Sequence, residues 1–127
     1  MKIHSALGNG FKEIVYKDAL QAELTKEEIP FEREKEFYVQ YDDILLKSKF
    51  QADFFIFDSI IIEVKASSQF HADSFRQTLN YLKTSKVNLG IVINFGADKL
   101  QFKRVICNLL KSHFINPFFV SPQYLLA

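Results

Sequence analysis

The sequence predicts an α/β domain, a central mixed sheet of four or five strands flanked by helices. Three observations lead there. Apolar, alternating runs between residues 31 and 65 are joined by short turn signals, which reads as an antiparallel meander. A helical pattern over about residues 71–84 separates that meander from a further strand at 89–95. The connection is long enough for a helical crossover, so the strands on either side of it are expected to run parallel.

The elements follow in chain order. The Gly8-Asn9-Gly10 cluster is a break, and a helix is expected over about residues 11–26. Phe11, Val15, Ala19 and Ala22 form one apolar stripe and Tyr16, Leu20 and Leu24 a neighbouring one. Glu13 falls on the second stripe, and a carboxylate on a core-facing stripe is informative. Ile29-Pro30 ends the segment. Residues 31–41 read as a strand whose charged first half, Glu32 to Glu36, suits a solvated end. Asp42-Asp43 is a turn, residues 44–47 a short strand and residues 50–57 a firmer one.

Asp58-Ser59 is expected to turn the chain into the strand Ile60-Ile61-Ile62-Glu63-Val64-Lys65. In the helix at 71–84, Phe75, Leu79 and Leu82 make the core stripe with His71 at its edge. Gln77 and Tyr81, four apart, share an adjoining face. The near-continuous apolar run from Leu89 to Phe95 suits a strand buried on both faces. Residues 102–106 read as a strand or short helix. The tail, 108–127, reads as a helix start followed by irregular chain packed on the domain.

Composition sets the class. The 127 residues are expected to form a single domain, 1–127, with a sizeable core. Apolar residues make up 48% and charged residues 24%, a globular profile and not a disordered one. The 14 Phe point first to a Phe-rich core, with an exposed subset able to stack on bases. A net charge of +1 provides no bulk basic field, so a nucleic-acid partner would need a local patch or a bound cation. The single cysteine, Cys107, rules out an internal disulfide and a four-cysteine metal site, and suits the core of a protein in a reducing cytoplasm. No signal peptide or membrane span is expected.

The chemistry gathers at Glu63-Val64-Lys65. Side chains alternate along a strand, so Glu63 and Lys65 project to the same side, about 7 Å apart along the chain. An acid and a base projecting together from an apolar strand are expensive as mere structure. The hairpin reading puts Asp53 on the neighbouring strand. Glu13, Asp53 and Glu63 together would repel one another and raise their pKa values unless a cation joined them, and hard carboxylate oxygens suit Mg²⁺ or Mn²⁺. Such an ion polarises a phosphodiester and acidifies a bound water, while Lys65 orients that water or stabilises developing charge.

These residues resemble a known pattern. Asp53 followed by Glu63-Val64-Lys65 is similar to the D…(D/E)-x-K signature of the PD-(D/E)XK nuclease superfamily. Gly10-Phe11-Lys12-Glu13-Ile14-Val15-Tyr16 is similar to the motif of the GxxExxY proteins, a branch of it. His4, Leu7-Gly8, Gln77 to Leu82 and Ile93-Asn94-Phe95-Gly96 also fit that branch, and Gln77-x-x-x-Tyr81 resembles the Q-x-x-x-Y motif of RecB-type nucleases. The resemblance spans roughly residues 4–106. Ala52 stands where the superfamily often has proline, the chain starts close to His4, and the tail after about Asn108 has no counterpart.

The resemblance implies a restriction-endonuclease-like core and a Mg²⁺-dependent (or Mn²⁺-dependent) nuclease acting on DNA, ahead of RNA, in the cytoplasm. It implies that Asp53, Glu63, the Val64 carbonyl and Glu13 hold the metal and that Lys65 is the catalytic lysine. Gln77 and Tyr81 would line the cleft, with His4 and Tyr16 behind the first ring of contacts. Blander readings stand beside these. Glu63–Lys65 is a surface ion pair on an edge strand, Glu13 pairs with a lysine, and Gln77–Tyr81 is a helix-surface pair. His4 and His71 make ordinary hydrogen bonds. A different class of function, a nuclease-fold binding or assembly subunit, is motivated by the near-neutral charge and the apolar tail, and predicts a homo- or hetero-oligomer.

Overall fold

The structure, a computed structural model, describes residues 2–108 and the backbone of 122–126. The elements run α1 (Lys2–Leu7), α2 (Glu13–Lys26), β1 (Phe31–Tyr41), β2 (Ile44–Ile56), β3 (Ile60–Lys65), α3 (Ala72–Ser85), β4 (Leu89–Asn94), β5 (Gln101–Cys107) and β6 (Pro122–Leu126). They form one mixed sheet in the order β1-β2-β3-β4-β5-β6. Only β3 and β4 are parallel, joined by the α3 crossover, and every other neighbouring pair is antiparallel. This is the α/β architecture expected of a restriction-endonuclease-like core, extended to six strands.

The two cores lie on opposite sides of the sheet. On one, Tyr16, Leu20 and Leu24 of α2 pack with Ile3, Phe54, Ile56, Ile62, Val64, Ile93 and Phe95. On the other, Phe75, Leu79 and Leu82 of α3 pack with Phe55, Ile61, Val92, Val105 and Cys107. Alternation along β3 therefore sends Ile62 and Val64 toward α2 and puts Ile61, Glu63 and Lys65 on the α3 side. A Cβ on Gly90 would stand 2.7 Å from Thr78 Cγ2, so a glycine in β4 lets α3 lie close against the sheet.

Several expectations need correction. Residues 44–56 make not two strands but one, β2, because the chain stays extended through Lys47-Ser48-Lys49 as a solvated arm even though its pairing with β1 is irregular there. The β1–β2 hairpin runs past β3, which pairs only with Phe54 to Ile56, and Tyr38, Tyr41, Ile44 and Leu45 are exposed toward its tip. Its register shifts between Tyr38 and Gln40. Residues 2–7 form a helix the sequence pattern did not mark. The β2–β3 turn is centred on Phe57 and Asp58, both at positive φ, one position before the expected Asp58-Ser59.

Residues 101–107 are a strand, and residues 122–126 add a sixth strand where irregular chain was expected. The expected helix start around residues 109–110, and the Phe118-Phe119-Val120 stretch, lie outside the described residues. Of the two apolar stripes on α2, the one bearing Tyr16 is buried, while Phe11 and Ala22 of the other are exposed. Cys107 is buried as expected, and burial pushes its thiol pKa up. No described helix is long and apolar enough to cross a membrane.

Candidate active site

The site forms where β2 and β3 part. Their ladder runs from Ile56↔Ile60 to Phe54↔Ile62 and stops there. At the next step the Asp53 side chain replaces the backbone ladder: its Oδ2 accepts a hydrogen bond from the Val64 N–H at 2.7 Å. Strand β2 also loses its alternation at this point. Phe54 packs on the α2 side and Ala52, two residues earlier, on the α3 side. Glu34, held opposite Asp53 by the flanking pairs Arg33↔Phe54 and Lys35↔Ala52, has φ 56°, a conformation that costs a non-glycine residue energy. The kink turns Asp53 toward β3 and away from either core.

Glu63 is 4% exposed and faces the α3 side. Among the described residues its Oε1 is the one buried side-chain oxygen or nitrogen with no hydrogen-bond partner. Burial pushes its carboxyl up to about 9, and the Asp53 charge and a hydrogen bond with Asp53 act in the same direction, while Lys65 acts against them. These influences favour the protonated form of the Glu63 carboxyl. Lys65, half-buried at the end of β3, lies on the same face. This removes the reading of Glu63–Lys65 as an exposed pair on an edge strand, since β3 lies between β2 and β4 and Glu63 is buried.

From α3, Tyr81 reaches the same neighbourhood. Burial raises its phenol, the charges of Glu63 and Asp53 raise it further, and a hydrogen bond with Gln77 works the other way. The Tyr81 ring stacks on Phe50 with centroids 3.9 Å apart, which fixes α3 against the base of the hairpin arm. Gln77 itself is exposed.

Other expected members stand elsewhere. Glu13 begins α2, and its side chain is exposed on the first turn. Three converging carboxylates do not form: among the described residues no three His, Cys, Asp or Glu side chains converge closely enough to hold a metal. The group that α2 does send to Asp53 is one turn further on. Lys17 Nζ lies 3.1 Å from Asp53 Oδ1 and 3.7 Å from Glu34 Oε1. The spacing Glu13 to Lys17 (i, i+4) was a signal that the two share a helix face.

Tyr16 is fully buried, and its hydroxyl donates to Gly8 O at 2.6 Å and accepts from the Phe11 N–H at 3.3 Å. Stacked on Phe95, it ties down the loop in which Gly8 and Gly10 take positive φ. His4 Nε2 lies 3.0 Å from Ala97 O. The hydrogen bonds of both residues go to loop backbone.

A clamp that sequence reasoning did not assign supports Lys65. Asn94, fully buried at the end of β4, accepts from the Ser67 and Gly96 N–H groups and donates to Ser67 O and Gln101 Oε1. The Phe95 N–H donates to Lys65 O at 2.9 Å. Gly96 passes so close to the chain after β3 that a Cβ there would lie 2.4 Å from Ser67 N. The segment that presents Lys65 is thus fixed on its far side, which is how a charged side chain is held for chemistry.

The donor set fits one divalent cation. Lys17 meets Asp53, but the neighbouring Glu63 is buried with an unpartnered oxygen and a raised pKa, and Mg²⁺ is commonly held by one or two carboxylates plus substrate phosphate. No curated protein and no solved structure matches the chain. A family model does: that of the PD-(D/E)XK nuclease superfamily matches residues 1–105, and the chain belongs to that superfamily.

Proposed function

We propose that the chain is a Mg²⁺- or Mn²⁺-dependent nuclease that hydrolyses phosphodiester bonds of DNA, and that it sits in the GxxExxY branch of its superfamily. The observation that carries the reading is Glu63: a buried acid with an unpartnered oxygen, beside Asp53 and on the same strand face as Lys65. A buried acid with one oxygen left unpartnered is costly for a purely structural position. The Gly10, Glu13 and Tyr16 spacing and the Gln77–Tyr81 pair support the branch assignment.

Asp53, Glu63 and the Val64 carbonyl are the oxygen donors of the proposed cation site. A bound divalent cation supplies Lewis-acid polarisation of the phosphate and a more acidic water. Asp53 is oriented by the Val64 N–H, so one of its oxygens is fixed before any ligand arrives. Glu63 would be the second anionic donor to such a cation, since cation binding favours a deprotonated ligand. Lys65 carries the positive charge that meets the developing negative charge on the phosphate. Tyr81 and Gln77 line the wall contributed by α3 and offer a hydroxyl and an amide to phosphate oxygens.

The test is cleavage of labelled single- and double-stranded DNA and RNA with Mg²⁺ or Mn²⁺. Cutting of DNA that is lost in Lys65→Ala and Asp53→Asn, with unchanged circular dichroism, is expected. Cutting that survives in both variants, or no cutting of any substrate by the wild type, overturns the proposal.

A further inference from the structure

Lys17 has no role in the expectations drawn from the sequence, yet it makes the shortest side-chain ion pair at the site. Its ammonium crosses from α2 to Asp53 Oδ1 at 3.1 Å, and its side chain is only 15% exposed. The other Asp53 oxygen belongs to the Val64 N–H. Groups of the chain itself therefore engage both oxygens of Asp53, while Glu63 Oε1 has no partner. The two holds differ in kind. The Val64 amide is fixed in β3, whereas a lysine ammonium rides on a flexible four-carbon stem. A second resting place is already in reach, because Glu34 Oε1 lies 3.7 Å from the same Nζ. Glu34 is half-exposed and sits at the kink opposite Asp53.

We propose that Lys17 is a positioning residue that sets the divalent-cation affinity of the site, holding Asp53 Oδ1 in the cation-free protein and moving onto Glu34 when a cation takes that oxygen. The inference rests on the assignment of Asp53 and Glu63 as cation donors. Before the cation arrives, the ammonium partly neutralises Asp53 and keeps its carboxylate pointed at the site. Once the cation arrives, the same ammonium is a like charge beside it and lowers affinity. Glu34 limits that loss by drawing the ammonium away. Affinity is thus a competition between two cations for one oxygen, with Glu34 as the release point.

The experiment is a Mn²⁺ titration followed by electron paramagnetic resonance of the free ion, on wild type, Lys17→Met, Glu34→Gln and the double variant. Methionine keeps the length of the lysine stem without its charge. The expected result is Mn²⁺ binding about tenfold tighter in Lys17→Met, the scale of one charge-assisted contact. Glu34→Gln is expected to weaken binding severalfold, and the same change in the Lys17→Met background to have no effect. Binding in Lys17→Met that equals or falls below the wild type overturns the proposal. So does a Glu34→Gln loss that persists without Lys17.

The Glu34→Gln arm stands by itself if Lys17→Met folds poorly, since Glu34 is a half-exposed strand residue. Asp53→Asn and Glu63→Gln separate the two layers of the argument. If neither alters Mn²⁺ affinity, the cation-site assignment fails and Lys17 falls with it. If both abolish binding while the Lys17 and Glu34 variants match the wild type, only the Lys17 inference fails.

Discussion

Replacing Glu63 with glutamine should change how stability depends on pH. The Glu63 carboxyl sits near 9 in the folded chain against an ordinary value of 4.5, chiefly because it is buried. Its pKa is raised on folding, so the folded state binds the extra proton more tightly than the unfolded state does. The stability this contributes is fully present below about pH 4.5 and is lost as pH rises through about 9. Inside that window the slope approaches about 1.4 kcal/mol per pH unit, or roughly 3 kcal/mol between about pH 6 and pH 8.

Glutamine keeps the size and an N–H donor toward Asp53 but takes up no proton. Urea unfolding in EDTA should give similar stabilities for the two proteins near pH 4.5, with the wild type already about 2 kcal/mol lower at about pH 6. The wild type should then fall steadily with rising pH while Glu63→Gln stays nearly level. A wild-type stability that is flat or rises across this window would refute the reasoning, as would a fall of equal size in Glu63→Gln.

Two further changes probe the scaffold of the site. Asn94→Ala removes four hydrogen bonds that join the end of β4 to the segment after Lys65 and to Gln101, and should cost about 2–4 kcal/mol by urea unfolding; a loss under about 1 kcal/mol would contradict that role. Tyr16→Phe keeps the stack on Phe95 but frees Gly8 O and the Phe11 N–H, so the melting temperature should drop by an amount equivalent to about 1–2 kcal/mol. DNA cleavage below that melting temperature should be unaffected, and a selective loss of cleavage would instead return Tyr16 to the site.

Much of this site was legible in the chain because strand periodicity and turn residues are local signals. Alternation in the 60–65 run separates Glu63 and Lys65 from Ile62 and Val64, and the short turn before Ile60 makes Asp53 and Glu63 neighbours. Position along the fold and face of a sheet are then nearly determined. What escaped is set by tertiary contacts. Glu13 lies on the same helical stripe as Tyr16 but on the first turn, where that stripe runs off the sheet into solvent.

Lys17 reads as one lysine among several until Asp53 is seen opposite it across α2 and β2. The kink at Asp53 leaves no compositional trace, because Glu34 adopts a left-handed conformation without a glycine to announce it. Residues 47–49 look like a break in β2 because two lysines and a serine interrupt the apolar run, yet an arm solvated on its faces can use such residues. Asn94 reads as the polar end of an apolar strand, and only its four partners reveal a clamp.

The measurement that bears most directly on the account is a crystal structure of the wild type soaked in Mn²⁺, with data collected at the manganese absorption edge. One anomalous peak is expected where β2 and β3 part, with an oxygen from each of Asp53 and Glu63 within roughly 2.2 Å of it. A peak that touches neither carboxylate, or no peak at saturating Mn²⁺, would contradict the assignment of this carboxylate pair as the metal site of a nuclease.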